Sequence, residues 1–188
     1  MIAANELKRK DMIIIDSDPY KVLEITVSSP SARGASTMVK AKVRHLLNSS
    51  VQDKNFKSTE KFQEADVQIT EADYLYKDIN GYSFMDQETF EMVELSAELV
   101  GEYDGFLHEN LRVKILVYNG APVSIELPQY VNLKVAEAEP SAQLAGAAGG
   151  GIKNAVLETG KTVKVPQYIS AGETVRVNTE TGEVAGRA

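Results

Sequence analysis

The chain has 188 residues, 43% of them apolar, and a formal net charge of −7. It contains no Cys, which excludes disulfides, a thiolate nucleophile and a Cys-based zinc site. No apolar run approaches the roughly 18–20 residues that cross a bilayer. Met1 to Arg9 lacks the apolar stretch of a signal peptide, so a cytoplasmic protein with no membrane partner is expected. The charge is uneven. Residues 1–64 hold 11 Lys+Arg and 8 Asp+Glu, and residues 65–188 hold 9 and 19. A basic end on an acidic body implies one polyanion-facing region and a remainder that repels it.

Residues 1–64 read as a small β-barrel. Met12–Ile15 and Tyr20–Val27 are strand runs around the turn Asp16-Ser17-Asp18-Pro19. The stretch from Ser28 to Ser36 joins Val22–Val27 to a second run, Thr37–Val43. It is rich in Pro, Ser and Gly and has nothing apolar larger than Ala, which predicts an exposed hairpin loop. Its one long cation, Arg33, stands between Ala32 and Gly34, small neighbours that let a backbone enter a narrow space. A guanidinium there keeps its charge at any working pH and offers five donors to an anionic cavity.

The following strand alternates strictly. Val39, Ala41 and Val43 face one side and Lys40, Lys42 and Arg44 the other, a basic ladder suited to phosphate contacts without base reading. Val51–Phe56 is a further strand, and Lys57–Gln63 is expected to be a polar connection.

Residues 65–128 carry two Asn-Gly hairpin signals. Asp78-Ile79-Asn80-Gly81 lies between strands Ala72–Tyr76 and Tyr82–Met85, and Asn119-Gly120 between Leu111–Tyr118 and Ala121–Leu127. A short helix is expected over Glu94–Gly101. Leu127-Pro128 marks a boundary. In residues 129–188, strands are expected at Tyr130–Val135, Val163–Val165, Thr174–Asn178 and Val184, with a turn at Thr179–Gly182. The Ala/Gly-rich stretch Glu137–Gly151 is expected to be a mobile loop. The class is therefore all-β, in three small barrels, the second of the oligonucleotide-binding kind.

No enzyme site emerges. His45 and His108 lack a neighbouring nucleophile motif, and the acidic residues lack calcium-loop spacing. Glu158-Thr159-Gly160-Lys161-Thr162 ends like a phosphate-binding loop, but the required earlier Gly is Ala155 and a strand pattern follows. No cofactor or metal is expected.

The run Lys153-Asn154-Ala155-Val156-Leu157-Glu158-Thr159-Gly160-Lys161-Thr162-Val163-Lys164-Val165-Pro166, with Ile169 and Gly172-Glu173, closely resembles the C-terminal signature of the bacterial elongation factor P family. Phe84-Met85-Asp86 and Glu88-Thr89-Phe90 resemble its middle domain, and Lys57-Ser58-Thr59 the end of its first. The resemblance covers the whole chain. It implies a KOW-like barrel (1–64) and two OB barrels (65–128 and 129–188), arranged in an L like tRNA.

It also implies a monomeric, non-enzymatic factor that binds the 70S ribosome between the P and E sites, beside P-site peptidyl-tRNA, and relieves polyproline stalls. Arg33, supported by Pro30, Ala32 and Gly34, would reach the tRNA end at the peptidyl-transferase centre. Lys40, Lys42 and Arg44 would track RNA backbone. In different branches of the family the tip residue is a modified Lys, a rhamnosylated Arg or unmodified, so a glycosyltransferase acting on Arg33 is one implied partner.

The tip Ser29-Pro30-Ser31-Ala32-Arg33-Gly34-Ala35 is closer to the elongation factor P-like paralogue branch, which would have narrower or regulatory targets. The family's Gly-Asp-Thr-Ala loop, which contacts the E-site codon, stands here as Ala145-Gly146-Ala147-Ala148, and its Arg near the C-terminus is Arg187. A general RNA-binding module is the rival from another class, and it predicts steep salt dependence on free RNA.

Overall fold

The computed structural model describes residues 1–28, 37–141 and 151–188. The chain is nearly all β, in three antiparallel sheets. The first contains β1 (Ile2–Ala3), β2 (Met12–Ile15), β3 (Asp18–Ser28), β4 (Met38–His45), β5 (Val51–Lys57) and β6 (Lys61–Glu64), in the order β1-β6-β2-β3-β4-β5. β2 and β4 put β-branched residues on a pleat that buries every second side chain, and Ile13, Val22, Val39, Ala41 and Val43 are 0% exposed.

The turn after β2 is tighter than expected. Only Asp16 and Ser17 form it, at φ 52° and 75°, and Pro19 already pairs with Ile14. Positive φ at both central residues matches the right-handed strand twist, so two residues suffice. The expected polar connection Lys57–Gln63 contains β6. Its single apolar residue, Phe62, is buried edge-on against Phe56 with ring centroids 4.6 Å apart.

The second sheet contains β7 (Val67–Lys77), β8 (Tyr82–Asp86), β9 (Met92–Leu95), β10 (Arg112–Tyr118) and β11 (Ala121–Glu126), in the order β11-β10-β7-β8-β9. Both Asn-Gly turns form. Asp78 Oδ1 accepts the backbone N–H of Asn80 at 2.8 Å and of Gly81 at 3.1 Å. Asn119 and Gly120 take φ 50° and 78°. The expected helix Glu94–Gly101 shrinks to α1 (Ala97–Val100), because Leu95 pairs with Tyr82 in β9. Ser96 caps α1, its hydroxyl accepting the Leu99 N–H. A 3-10 helix, Gly101–Phe106, follows.

The third sheet contains β12 (Tyr130–Ala138), β13 (Ile152–Leu157), β14 (Thr162–Pro166), β15 (Thr174–Asn178) and β16 (Val184–Arg187), in the order β14-β13-β12-β15-β16. The stretch expected to be a loop is partly strand. Glu137 and Ala138 extend β12 and pair with Val156 and Ala155, and residues 142–150 lie outside the described residues. Leu133, Val135, Val165, Ile169, Val175 and Val177 form the buried face, all at 0% exposure.

The chain divides into two compact units, Met1–Ile69 with Leu116–Ser124, and Thr70–Ile115 with Ile125–Ala188. Within the first, the end of the β10–β11 hairpin packs on the N-terminal sheet. Leu46, Leu116 and Val123 bury one another, with Met12, Val67 and Tyr118 around them.

Candidate RNA interface

The β3–β4 hairpin carries the predicted ladder. Its register runs from Tyr20↔His45 to Ser28↔Met38, with a bulge between Val22 and Glu24. Arg33, with Pro30, Ala32 and Gly34, falls in residues 29–36, outside the described residues. The two strands that lead to it are paired through their last residues.

Lys40 and Lys42 are exposed on one face, and Val39, Ala41 and Val43 on the other are fully buried. Arg44 shares the ladder face but is half-buried, opposite Lys21 and Val51, and its Nε is enclosed without a hydrogen-bond partner among the described residues.

The neighbours of the ladder were not legible in the sequence. Register places Glu24 and Asp53 on either side of Lys42, and Thr26 and Asn55 on either side of Lys40. Glu24, Thr26, Lys40, Lys42 and Asp53 line one shallow groove. Lys40 Nζ lies 3.6 Å from an Asp53 carboxylate oxygen, with the two side chains 55% and 56% exposed. The ladder is thus a pair of lysines flanked by carboxylates. An exposed ion pair of this kind contributes about 0–1 kcal/mol.

Of the residues predicted at the other end, Gly146, Ala147 and Ala148 also lie outside the described residues. Arg187 is on β16. Its Nη2 donates to Glu173 Oε1 at 2.9 Å, and its guanidinium sits 5.1 Å from the Tyr168 ring centroid.

His45 Nε2 lies 3.3 Å from Asp18 Oδ2. His45 is 7% exposed and packs edge-on to Tyr20 at 4.8 Å. Its Nδ1 accepts the Leu47 N–H at 3.1 Å. The His108 ring Nδ1 lies 3.1 Å from the adjacent Glu109 carbonyl. Among the described residues no group of His, Asp and Glu could hold a metal, and no helix is long and apolar enough to cross a membrane. Residues 158–161 form the turn between β13 and β14, with Gly160 at φ 86° and no helix after it. The resemblance to a phosphate loop ends at the residue names.

Family comparisons cover nearly all of the chain. Residues 3–62 match the elongation factor P KOW-like domain, 67–125 its OB domain and 131–187 its C-terminal domain. The chain belongs to the elongation factor P family. Proteins named elongation factor P from Moorella thermoacetica and Thermotoga maritima are 39% and 40% identical over 188 residues, covering 100% of each chain. One from Clostridium perfringens is 38% identical over 187 residues, again with full coverage of both chains. As a member of the elongation factor P family, the protein is a translation elongation factor that acts with the ribosome and is not an enzyme.

Proposed function

We propose that the factor works in the cytoplasm as a monomer, bound to the 70S ribosome between the P and E sites, and speeds peptide-bond formation at polyproline stalls. The supporting observation is the β3–β4 hairpin, whose ladder pairing continues to Ser28↔Met38 on both sides of the Arg33 segment. A paired two-strand stem, backed along β4 by β5 from Met38 to Arg44, is a stiff support for a positively charged tip. Arg33 would steady the acceptor end of P-site peptidyl-tRNA. Proline is a poor nucleophile when misaligned, and fixing the geometry of the reactants lowers the barrier without acid–base chemistry. Lys40 and Lys42 would hold RNA phosphates after Asp53 gives way, with Arg44 behind them. Gly146, Ala147, Ala148 and Arg187 would face the E-site end.

Ribosomal translation of a Pro-Pro-Pro template tests this reading. Arg33→Ala is expected to slow stall relief by up to about 100-fold, the penalty of misplacing reactants by about 1 Å. Full relief by that variant would sink the mechanism. Arg33 is also where a modifying glycosyltransferase would act. Intact-mass spectrometry of natively expressed protein separates a deoxyhexose adduct, which marks the rhamnosylated branch, from a bare arginine. The bare form marks the paralogue branch, which the Ser29–Ala35 sequence favours.

A further inference from the structure

We propose that the turn Thr159-Gly160-Lys161 is a lock that fixes the C-terminal domain on the OB domain, and that Thr159 and Lys161 are positioning residues for the factor's work on the ribosome. The second half of the proposal rests on the function proposed above. The first half stands on contacts inside one compact unit.

Three consecutive residues of the 3-10 helix divide the labour. Asp104 holds to its own sheet, its Oδ2 accepting Lys77 Nζ at 3.1 Å. The Gly105 carbonyl accepts the Thr159 hydroxyl at 2.6 Å, a bond that joins residues 54 positions apart. The buried Phe106 ring takes Lys161 Nζ over its face, 4.8 Å from the centroid.

The approach is close enough to specify residue types. A Cβ on Gly105 would sit 2.8 Å from Lys161 Cδ and 3.0 Å from its Cβ, so a side chain there would push the lysine stem aside. The same stem runs by the turn between β15 and β16, with its Cε 4.0 Å from where a Gly182 Cβ would stand. That turn supplies a second tie. Thr179 Oγ1 donates to the Pro128 carbonyl at 2.6 Å, and Thr179 N–H to the Gln129 carbonyl at 2.9 Å. The linker is therefore pinned at one point and the domains at another. Pinning at two separate points restricts the motion that a single tie would allow. The residues that resembled a nucleotide loop have a mechanical use.

Amide 15N relaxation on the full-length protein reads the lock directly. Wild type is expected to give one rotational correlation time for residues 70–115 and 152–187. Gly105→Val, and Thr159→Val combined with Lys161→Met, are expected to give two different times, and Thr159→Ser, which keeps the hydroxyl, a single one. The same proteins go into the Pro-Pro-Pro translation assay, where the unlocked variants are expected to lose stall relief by about tenfold or more, within the range set by reactant misplacement. Two correlation times in wild type, or one in both unlocked variants, would overturn the lock. Split times with unchanged stall relief would overturn the positioning role. If wild type itself relieves no stall, the proposed function fails and the relaxation data still decide the lock.

Discussion

The chain has two seams built on different physics. In the first compact unit, Leu46 from the KOW-like domain meets Leu116 and Val123 from the OB domain in a dry contact, each no more than 5% exposed. In the second, the contacts between the OB and C-terminal domains include the Thr159 hydroxyl on the Gly105 carbonyl and the Lys161 ammonium over the Phe106 ring. An apolar seam draws its strength from buried area and tolerates small shifts in direction. The bonds of a polar seam are directional and fail when geometry moves by an ångström. The first seam should therefore dominate stability and the second should dominate alignment.

The largest expected effect tests the stability half. Leu116→Ala should cost about 2–5 kcal/mol in chemical denaturation, the usual range for emptying a fully buried leucine site. An equal loss from Thr159→Val would erase the distinction between the seams. Gly105→Val comes next, at about 1–3 kcal/mol for forced overpacking. Calorimetry should show it as a separation of the OB and C-terminal transitions; a single unshifted peak would count against the contact. Thr159→Val should cost about 0.5–1.5 kcal/mol, the worth of one hydrogen bond, with Thr159→Ser restoring most of it.

The smallest effect is a pH dependence at the Lys77–Asp104 pair, next to the Gly105 contact. Hydrogen bonds to Tyr82 and then to Asp104 raise the Lys77 pKa above the ordinary lysine range. A folded pKa above the unfolded one contributes stability that is complete below the unfolded value. It is lost as pH rises through the folded value. Alkaline titration should thus loosen the grip on Asp104 while the Leu116 contact is unmoved. Lys77→Met should weaken that alkaline step in hydrogen exchange at residues 101–106, leaving the part that comes from Tyr74 and Tyr82, whose pKa values burial raises.

What could be read in the sequence was local. Asn80-Gly81 and Asn119-Gly120 announce their turns because two residues settle the dihedrals. Strict alternation in β4 announces its buried face. β13 was hidden because its pattern is inverted. Ile152 is 63% exposed, and Lys153, 8% exposed, buries its stem with Nζ donating to Ser141 Oγ at 3.2 Å. β6 was hidden because one Phe among polar residues carries no period. At the candidate interface, Lys40 and Lys42 were legible from their own strand. Glu24 and Asp53 were not, because cross-strand neighbours follow from register. The Thr159–Gly105 bond joins segments far apart in the chain and leaves no mark in either. Arg33 was legible by composition and family resemblance alone.

The Thr159–Gly105 contact also sets where this chain can be cut and rejoined with a relative. The visible boundary at Leu127-Pro128 is the wrong place for a graft, since a foreign last domain would arrive without its mate at residues 104–106. A chimera that carries Gly101–Phe106 along with residues 129–188 keeps both halves of the fitting, so the heritable module is larger than the barrel.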